Sequence, residues 1–216
     1  MKIFIFADNL FGLKLIKFLK KKKENIVGIA LHPKKYQNKG KEILKLAKNV
    51  KTYKFGKNIS KRDLEKIKKL KPDVILVVFW RFLLSKELIK IPKFGAINFH
   101  MSYLPFNRGA NPNVWAIIEN TQAGCSIHKI DEKIDAGLII AQKKIPQYIQ
   151  DTAKTLYFRI LGNFTKLFEK QWNKMKKNKF KGKQIDISKG TIHYRNQFKG
   201  LSKIDLTKKI YPLELF

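Results

Sequence analysis

A chain of 216 residues suits one domain plus an appendage, and its 44% hydrophobic content with 16 Phe excludes a disordered or fibrous protein. One cysteine, Cys125, excludes an internal disulfide and fits a reducing compartment, while no apolar run approaches the roughly 20 residues of a membrane span. The formal charge of +31 is carried almost wholly by lysine, which reads as solvated helix faces, or else as a field that draws in an anionic partner.

Residues 2–6 form a short apolar strand, and residues 11–22 carry apolar positions at helical spacing. The N-terminus turns polar too soon for a signal peptide, so the expected location is the cytoplasm. A second strand at 26–31 leads through a basic loop, 32–40, into a helix at 41–48. A third strand at 50–55 and a helix at 61–70, opened by Ser60, follow. Residues 74–79 are uninterruptedly apolar, as expected of a strand covered on both faces. Strands alternating with helices point to an α/β fold, a Rossmann-like, mostly parallel sheet flanked by helices. Its ligand crevice belongs beyond the carboxyl ends of the strands. The first strand-to-helix turn, 6–12, lacks the spaced glycines of a pyrophosphate loop, which argues against dinucleotide binding.

Residues 95–142 are the least basic part of the chain and gather most groups capable of chemistry. Residues 1–94 hold 26 Lys/Arg against 7 Asp/Glu, whereas residues 95–150 hold 5 against 4. Asn98, His100 and Ser102 alternate along an expected strand and so share one face, with Ile97 and Phe99 on the other. Leu104-Pro105 ends that strand, Asn111-Pro112 opens a helix, and 123–130 reads as another strand. The polar turn 131–137 leads into a strand at 138–141 and carries Asp131 and Asp135, either of which reaches back toward an Asn/His pair. One long amphipathic helix is expected over 151–176. The remainder, 181–216, is a short C-terminal extension with turns at Gly182, Gly190 and Gly200 and short strands at 185–187 and 191–194. The apolar ending 210–216 suggests a docked tail or a homodimer contact. No His/Cys/Asp cluster has metal-ligand spacing, and His32, His128 and His193 read as structural.

Asn98-Phe99-His100, Ser102-Tyr103-Leu104-Pro105, Arg108-Gly109 and Asp135-Ala136-Gly137 occur in one order over about 45 residues. This segment resembles the N10-formyltetrahydrofolate-dependent formyltransferases, with Met101 standing where many members carry proline or glycine. The catalytic domain is expected over 1–180, no metal is expected from the ligand spacing, and the resemblance implies N10-formyltetrahydrofolate as co-substrate. It carries the catalytic roles onto Asn98, His100 and Asp135. His100 would take the amine proton, Asn98 would donate to the formyl oxygen, and Asp135 would orient the imidazole. It places folate against Arg81, Phe82, Leu83, Leu84, Asp131 and Ile134. It places the amine acceptor near Ser102, Arg108, Gly109, Asn111 and Asn113, with Ser102 a hydrogen bonder rather than a nucleophile and Arg108 either an acceptor-phosphate ligand or a loop brace.

Within that family, methionyl-tRNA formyltransferases carry a further C-terminal barrel, and the glycinamide ribonucleotide branch carries a glycine-rich phosphate loop. Neither feature is read here, which leaves a nucleotide-linked amino sugar as the expected acceptor. The tail sequence around residues 190–198 resembles sugar-modifying members as well. A different class of function, a non-catalytic basic module that binds nucleic acid such as tRNA on the same fold, is opposed by the intact Asn/His/Asp set.

Overall fold

A computed structural model of the chain describes residues 1–197. Apolar runs with little helix propensity form β1 (Lys2–Ala7), β2 (Asn25–Leu31), β4 (Val74–Val78) and β5 (Ala96–His100), and a short polar segment forms β3 (Thr52–Lys54); these five pair with one another in parallel. The crossovers run through α1 (Leu10–Lys21), α2 (Gly40–Leu46), α3 (Lys61–Lys69) and α4 (Lys86–Lys90). Beyond β5 come β6 (Arg108–Gly109), α5 (Pro112–Ile118), β7 (Gly124–Lys129), β8 (Ile139–Lys144), α6 (Ala153–Lys177) and β9 (Ile192–His193). β7 pairs antiparallel with β5, and β8 antiparallel with β7, completing a seven-stranded sheet in the order β3-β2-β1-β4-β5-β7-β8. β6 and β9 form a separate parallel pair.

Both faces of the sheet are covered, which is why all five residues of β4 are buried. On one face α1 and α6 pack Ile16, Phe164, Phe168 and Trp172 against Ile3, Leu76 and Phe99. Phe11 stacks on Phe164 with centroids 5.0 Å apart, and Phe99 meets Phe11 edge-on at 5.4 Å. The other face is filled by Phe4, Phe6, Tyr53, Ile67 and Leu88.

Local chemistry sets the element ends. Asn9 caps α1 by accepting the Gly12 N–H at 2.9 Å, and Thr152 with Thr155 forms a capping box on α6. At the far end of α6, the Trp172 indole N–H donates to Glu24 at 2.7 Å and Lys176 pairs with the same carboxylate. The helix is thereby tied to the chain just before β2.

Two expected strands differ from what is found. Residues 185–187 do not form a strand: the Asp186 carboxylate accepts the Ser188 N–H at 3.1 Å and nucleates a 3-10 turn over Ile187–Lys189. Pairing with the main sheet falls instead on Lys183, which exchanges two 2.8 Å backbone bonds with Ile139. The strand expected to continue to Ser102 stops at His100, because the Ser126 hydroxyl takes over the partners of a ladder. It donates to the Ser102 carbonyl at 2.7 Å and accepts the Leu104 N–H at 3.1 Å. The Gly200 turn, the apolar ending 210–216 and the dimer contact expected there lie outside the described residues. Among the described residues no helix is long and apolar enough to cross a membrane.

Candidate active site

A cleft of about 880 Å³ opens at the carboxyl ends of β1, β4 and β5. Alternation along β5 turns Asn98 and His100 into it while Ile97 and Phe99 sink into the α1/α6 core. The antiparallel register sets Asn98 directly opposite His128 of β7. Asp135 enters from the turn between β7 and β8, where its backbone adopts the left-handed φ of +47° that Asp tolerates.

These side chains converge on one carboxylate. Asn98 Nδ2 donates to Asp135 Oδ1 at 3.0 Å, and the Gly109 N–H donates to Oδ2 at 2.9 Å. His100 Nδ1 lies 3.4 Å from Oδ2, and His128 Nε2 lies 3.3 Å from Oδ1. The carboxylate only accepts, so the Asn98 amide nitrogen must face it. His100 Nε2 is 2.9 Å from the Asn107 carbonyl, which also only accepts, so that nitrogen carries the proton and Nδ1 is the free base of the neutral ring. By the same logic His128 Nδ1–H donates to the Lys129 carbonyl at 2.7 Å, leaving Nε2 to accept from Asn98 at 3.2 Å. The Asn98 amide hydrogens are therefore held by Asp135 and His128 rather than turned toward open cleft.

Burial sets the resting charges. It pushes the His100 imidazole below its ordinary value, outweighing the opposite pulls of Asp135 and the Asn107 carbonyl. Burial acts to raise Asp135, but in the acid range where it would titrate, the charged His100 ring, with His128 and the Gly109 N–H, prevails and holds its carboxyl well below the usual range. At neutral pH the centre is a fixed anion beside a neutral base.

Of the sequence-derived folate residues, Arg81, Phe82, Leu83, Leu84, Asp131 and Ile134 all line the cleft. Leu83 is 76% exposed on its rim. On the acceptor side Gly109, Asn111 and Asn113 line it, with Asn113 also donating to the Ala153 carbonyl at 2.8 Å. Ser102 and Arg108 are not on its wall. Ser102 is 1% exposed and turned away by the bend after His100, and Arg108 is held by backbone pairing with Thr191. Ser102 is therefore not placed for the substrate contact expected of it, and for Arg108 the backbone pairing supports the loop-brace alternative.

Several cleft residues escaped the sequence reading, among them His128, His193, Tyr194 and Arg195. His128 read as structural, and only the β5/β7 register reveals it beside Asn98. His193, Tyr194 and Arg195 reach the cleft because β9 pairs with β6, a contact between segments more than 80 residues apart. Among the described residues no group of His, Cys, Asp and Glu is arranged to hold a metal ion.

The family model described as formyl transferase matches residues 1–181. The chain belongs to the formyl transferase family. It is 33% identical to the methionyl-tRNA formyltransferase of Fusobacterium nucleatum over 96% of its own length and 69% of the relative's. It spans only 16% and 47% of the length of two further curated relatives. A sugar N-formyltransferase from a Shewanella species shares the fold, with a TM-score of 0.82 and 22% identity over 100% of this chain and 85% of that one. The formyltransferase PseJ of Anoxybacillus kamchatkensis, solved with UDP-4,6-dideoxy-4-formamido-L-AltNAc and tetrahydrofolate, matches with a TM-score of 0.69 and 25% identity over 93% of this chain and 90% of that one.

Proposed function

We propose that this formyl transferase moves a formyl group from N10-formyltetrahydrofolate to a primary amine, the amino group of a nucleotide-linked amino sugar. The observation that carries the transfer is the single carboxylate of Asp135, bonded by Asn98 and Gly109 and 3.4 Å from the unprotonated nitrogen of His100. The apolar wall of Trp80, Phe82, Leu83, Leu84 and Ile130 suits a flat heteroaromatic ring, so the residues present fit folate. When bound, the folate supplies the one-carbon unit.

The chain's own part is proton handling and charge stabilisation. His100 Nδ1 is positioned to accept the proton the amine loses as it attacks. The imidazolium so formed is stabilised by the anion of Asp135, while the Asn107 carbonyl keeps the ring from rotating. As the new carbon–nitrogen bond forms and the bond to the folate nitrogen breaks, the proton would pass on to that leaving nitrogen, directly or through Asp135 and water. Asn98 supplies an amide donor to the oxygen that gains charge once one of its hydrogens leaves His128. No covalent enzyme intermediate is required.

The acceptor assignment is supported by PseJ, whose sugar nucleotide and tetrahydrofolate sit in a related chain, and by the tail strand β9 that builds one side of the cleft. A second reading, methionyl-tRNA as acceptor, is favoured by the 33% identity to the Fusobacterium enzyme and by the charge of +31. Turnover with a panel of UDP- and dTDP-linked amino sugars, glycinamide ribonucleotide and methionyl-tRNA separates them. Formylation of an amino-sugar nucleotide is expected; formylation of methionyl-tRNA alone would overturn the acceptor.

A further inference from the structure

The loop that joins β5 to α5 touches both ionisable members of the centre. Its Asn107 carbonyl holds His100 Nε2 at 2.9 Å, and its Gly109 N–H holds Asp135 Oδ2 at 2.9 Å. Asn107 and Gly109 both adopt positive φ, +53° and +90°, which asparagine and glycine tolerate but do not by themselves select. The restraint comes from the C-terminal segment. The Arg108 N–H donates to the Thr191 carbonyl at 3.0 Å, and the Ala110 N–H donates to the His193 carbonyl at 2.9 Å. A β-carbon on Gly109 would lie 2.1 Å from that His193 carbonyl oxygen, and one on Gly190 would lie 2.0 Å from the Pro105 carbonyl oxygen.

Side chains reinforce the backbone pairing. The Thr191 hydroxyl donates to Glu119 Oε2 at 2.8 Å and receives the Asn107 N–H at 3.4 Å. His193 stacks flat on Trp115 at 3.9 Å, and its Nε2 meets Glu119 Oε1 at 2.9 Å. Asn107 is wholly buried and its amide is anchored separately on Thr121 at 2.7 Å. The 107–110 loop is thus clamped between α5 and β9.

We infer that Thr191 and His193, with Gly190 giving the close approach, are positioning residues for formyl transfer: they hold the 107–110 loop so that its carbonyl selects the His100 tautomer and its N–H orients Asp135. The inference rests on the formyl-transfer reading for its kinetic consequence, though not for its structural one. A loop displaced by an ångström removes the acceptor from His100 Nε2, and the imidazole then populates the other tautomer, whose Nδ1 is already protonated and cannot take a proton. The C-terminal segment therefore governs whether the base is available while touching neither reacting group.

The test uses Gly190→Ala, Thr191→Val and, as the conservative rescue, Thr191→Ser in the full chain. Gly190 has φ −131°, which alanine accepts freely, so its only effect is the clash with Pro105. In the native protein, nitrogen-detected NMR of the histidines is expected to show His100 as the Nε2–H tautomer. In Gly190→Ala and Thr191→Val the signal should move toward a mixture of tautomers. Their kcat should fall about 10- to 100-fold with KM little changed, and Thr191→Ser should recover most of it. Folded variants of both that keep the native tautomer and native kcat would overturn the inference. A native protein that formylates nothing would remove the functional reading but leave the tautomer measurement to decide the positioning claim. If Thr191→Val does not fold, Gly190→Ala carries both readouts alone.

Discussion

The Asn98 side-chain amide donates to Asp135 Oδ1 at 3.0 Å, bridging β5 and the β7–β8 turn across 37 residues of sequence. Asn98→Asp keeps the shape and replaces that donor with a second carboxylate. Two carboxylates about 3 Å apart cannot both ionise freely, so one is driven to hold a proton near neutrality. The variant is expected to fold and to lose about 100- to 1,000-fold in kcat, since the donor for the developing oxyanion is gone. Steady-state kinetics beside a circular dichroism melt checks it; kcat within a factor of a few of native would remove Asn98 from the mechanism.

His128 accepts from the Asn98 amide at 3.2 Å and donates to its own neighbour's carbonyl. His128→Phe removes the acceptor while keeping an aromatic ring in a buried place. Freed of one restraint, Asn98 should still work, though less well oriented, so a loss of about tenfold in kcat is expected, smaller than that of Asn98→Asp. Equal losses in the two variants would mean that His128 does more than orient the amide.

How much of this was legible in the residues follows the distance over which each feature is decided. Elements set by local pattern were readable: α1, expected from residue 11, begins at Leu10 because Asn9 caps it, and the apolar run of β4, typical of a strand covered on both faces, is one. Asn98, His100 and Asp135 were legible as a set through the ordered motif, and the sheet brings them together. Ser102 misled because strand alternation was extended past the point where Ser126 captures the chain. Asp186 likewise outcompeted a strand by a side-chain bond two residues long. His128, His193 and the β6–β9 pair depend on register between distant segments, and no local periodicity encodes that.

Acid should switch the centre off from one side. The His100 imidazole acts as a base only when neutral, and burial places its titration below the ordinary value of about 6.5. The folded-state value is depressed, so the unfolded chain binds a proton the folded chain refuses, and stability also falls as pH drops below about 6.5. Asp135, likewise depressed, adds loss of stability in the same direction at still lower pH, beginning near the unfolded value of about 3.9. Once the acceptor amine's own ionisation is divided out, a kcat/KM profile flat from neutrality upward and falling only on the acid side is expected. A remaining limb centred well above neutrality would contradict this assignment of the base.

Cys125 is fully buried in β7, and burial pushes its thiol up to about 12. Thiolate is the reactive form, so the native protein should resist a thiol reagent at pH 8 and react stoichiometrically once denatured. Prompt native labelling, followed by lost activity, would place the thiol within reach of the cleft.

The central claim is that His100 removes the proton of an attacking amine in folate-dependent formyl transfer. Release of tetrahydrofolate should be followed with native protein and with His100→Ala, at saturating N10-formyltetrahydrofolate and an amino-sugar nucleotide. Native turnover with a loss of about 100- to 10,000-fold in kcat for His100→Ala is the expected result. Equal turnover in the two proteins, each shown to be folded, would contradict it.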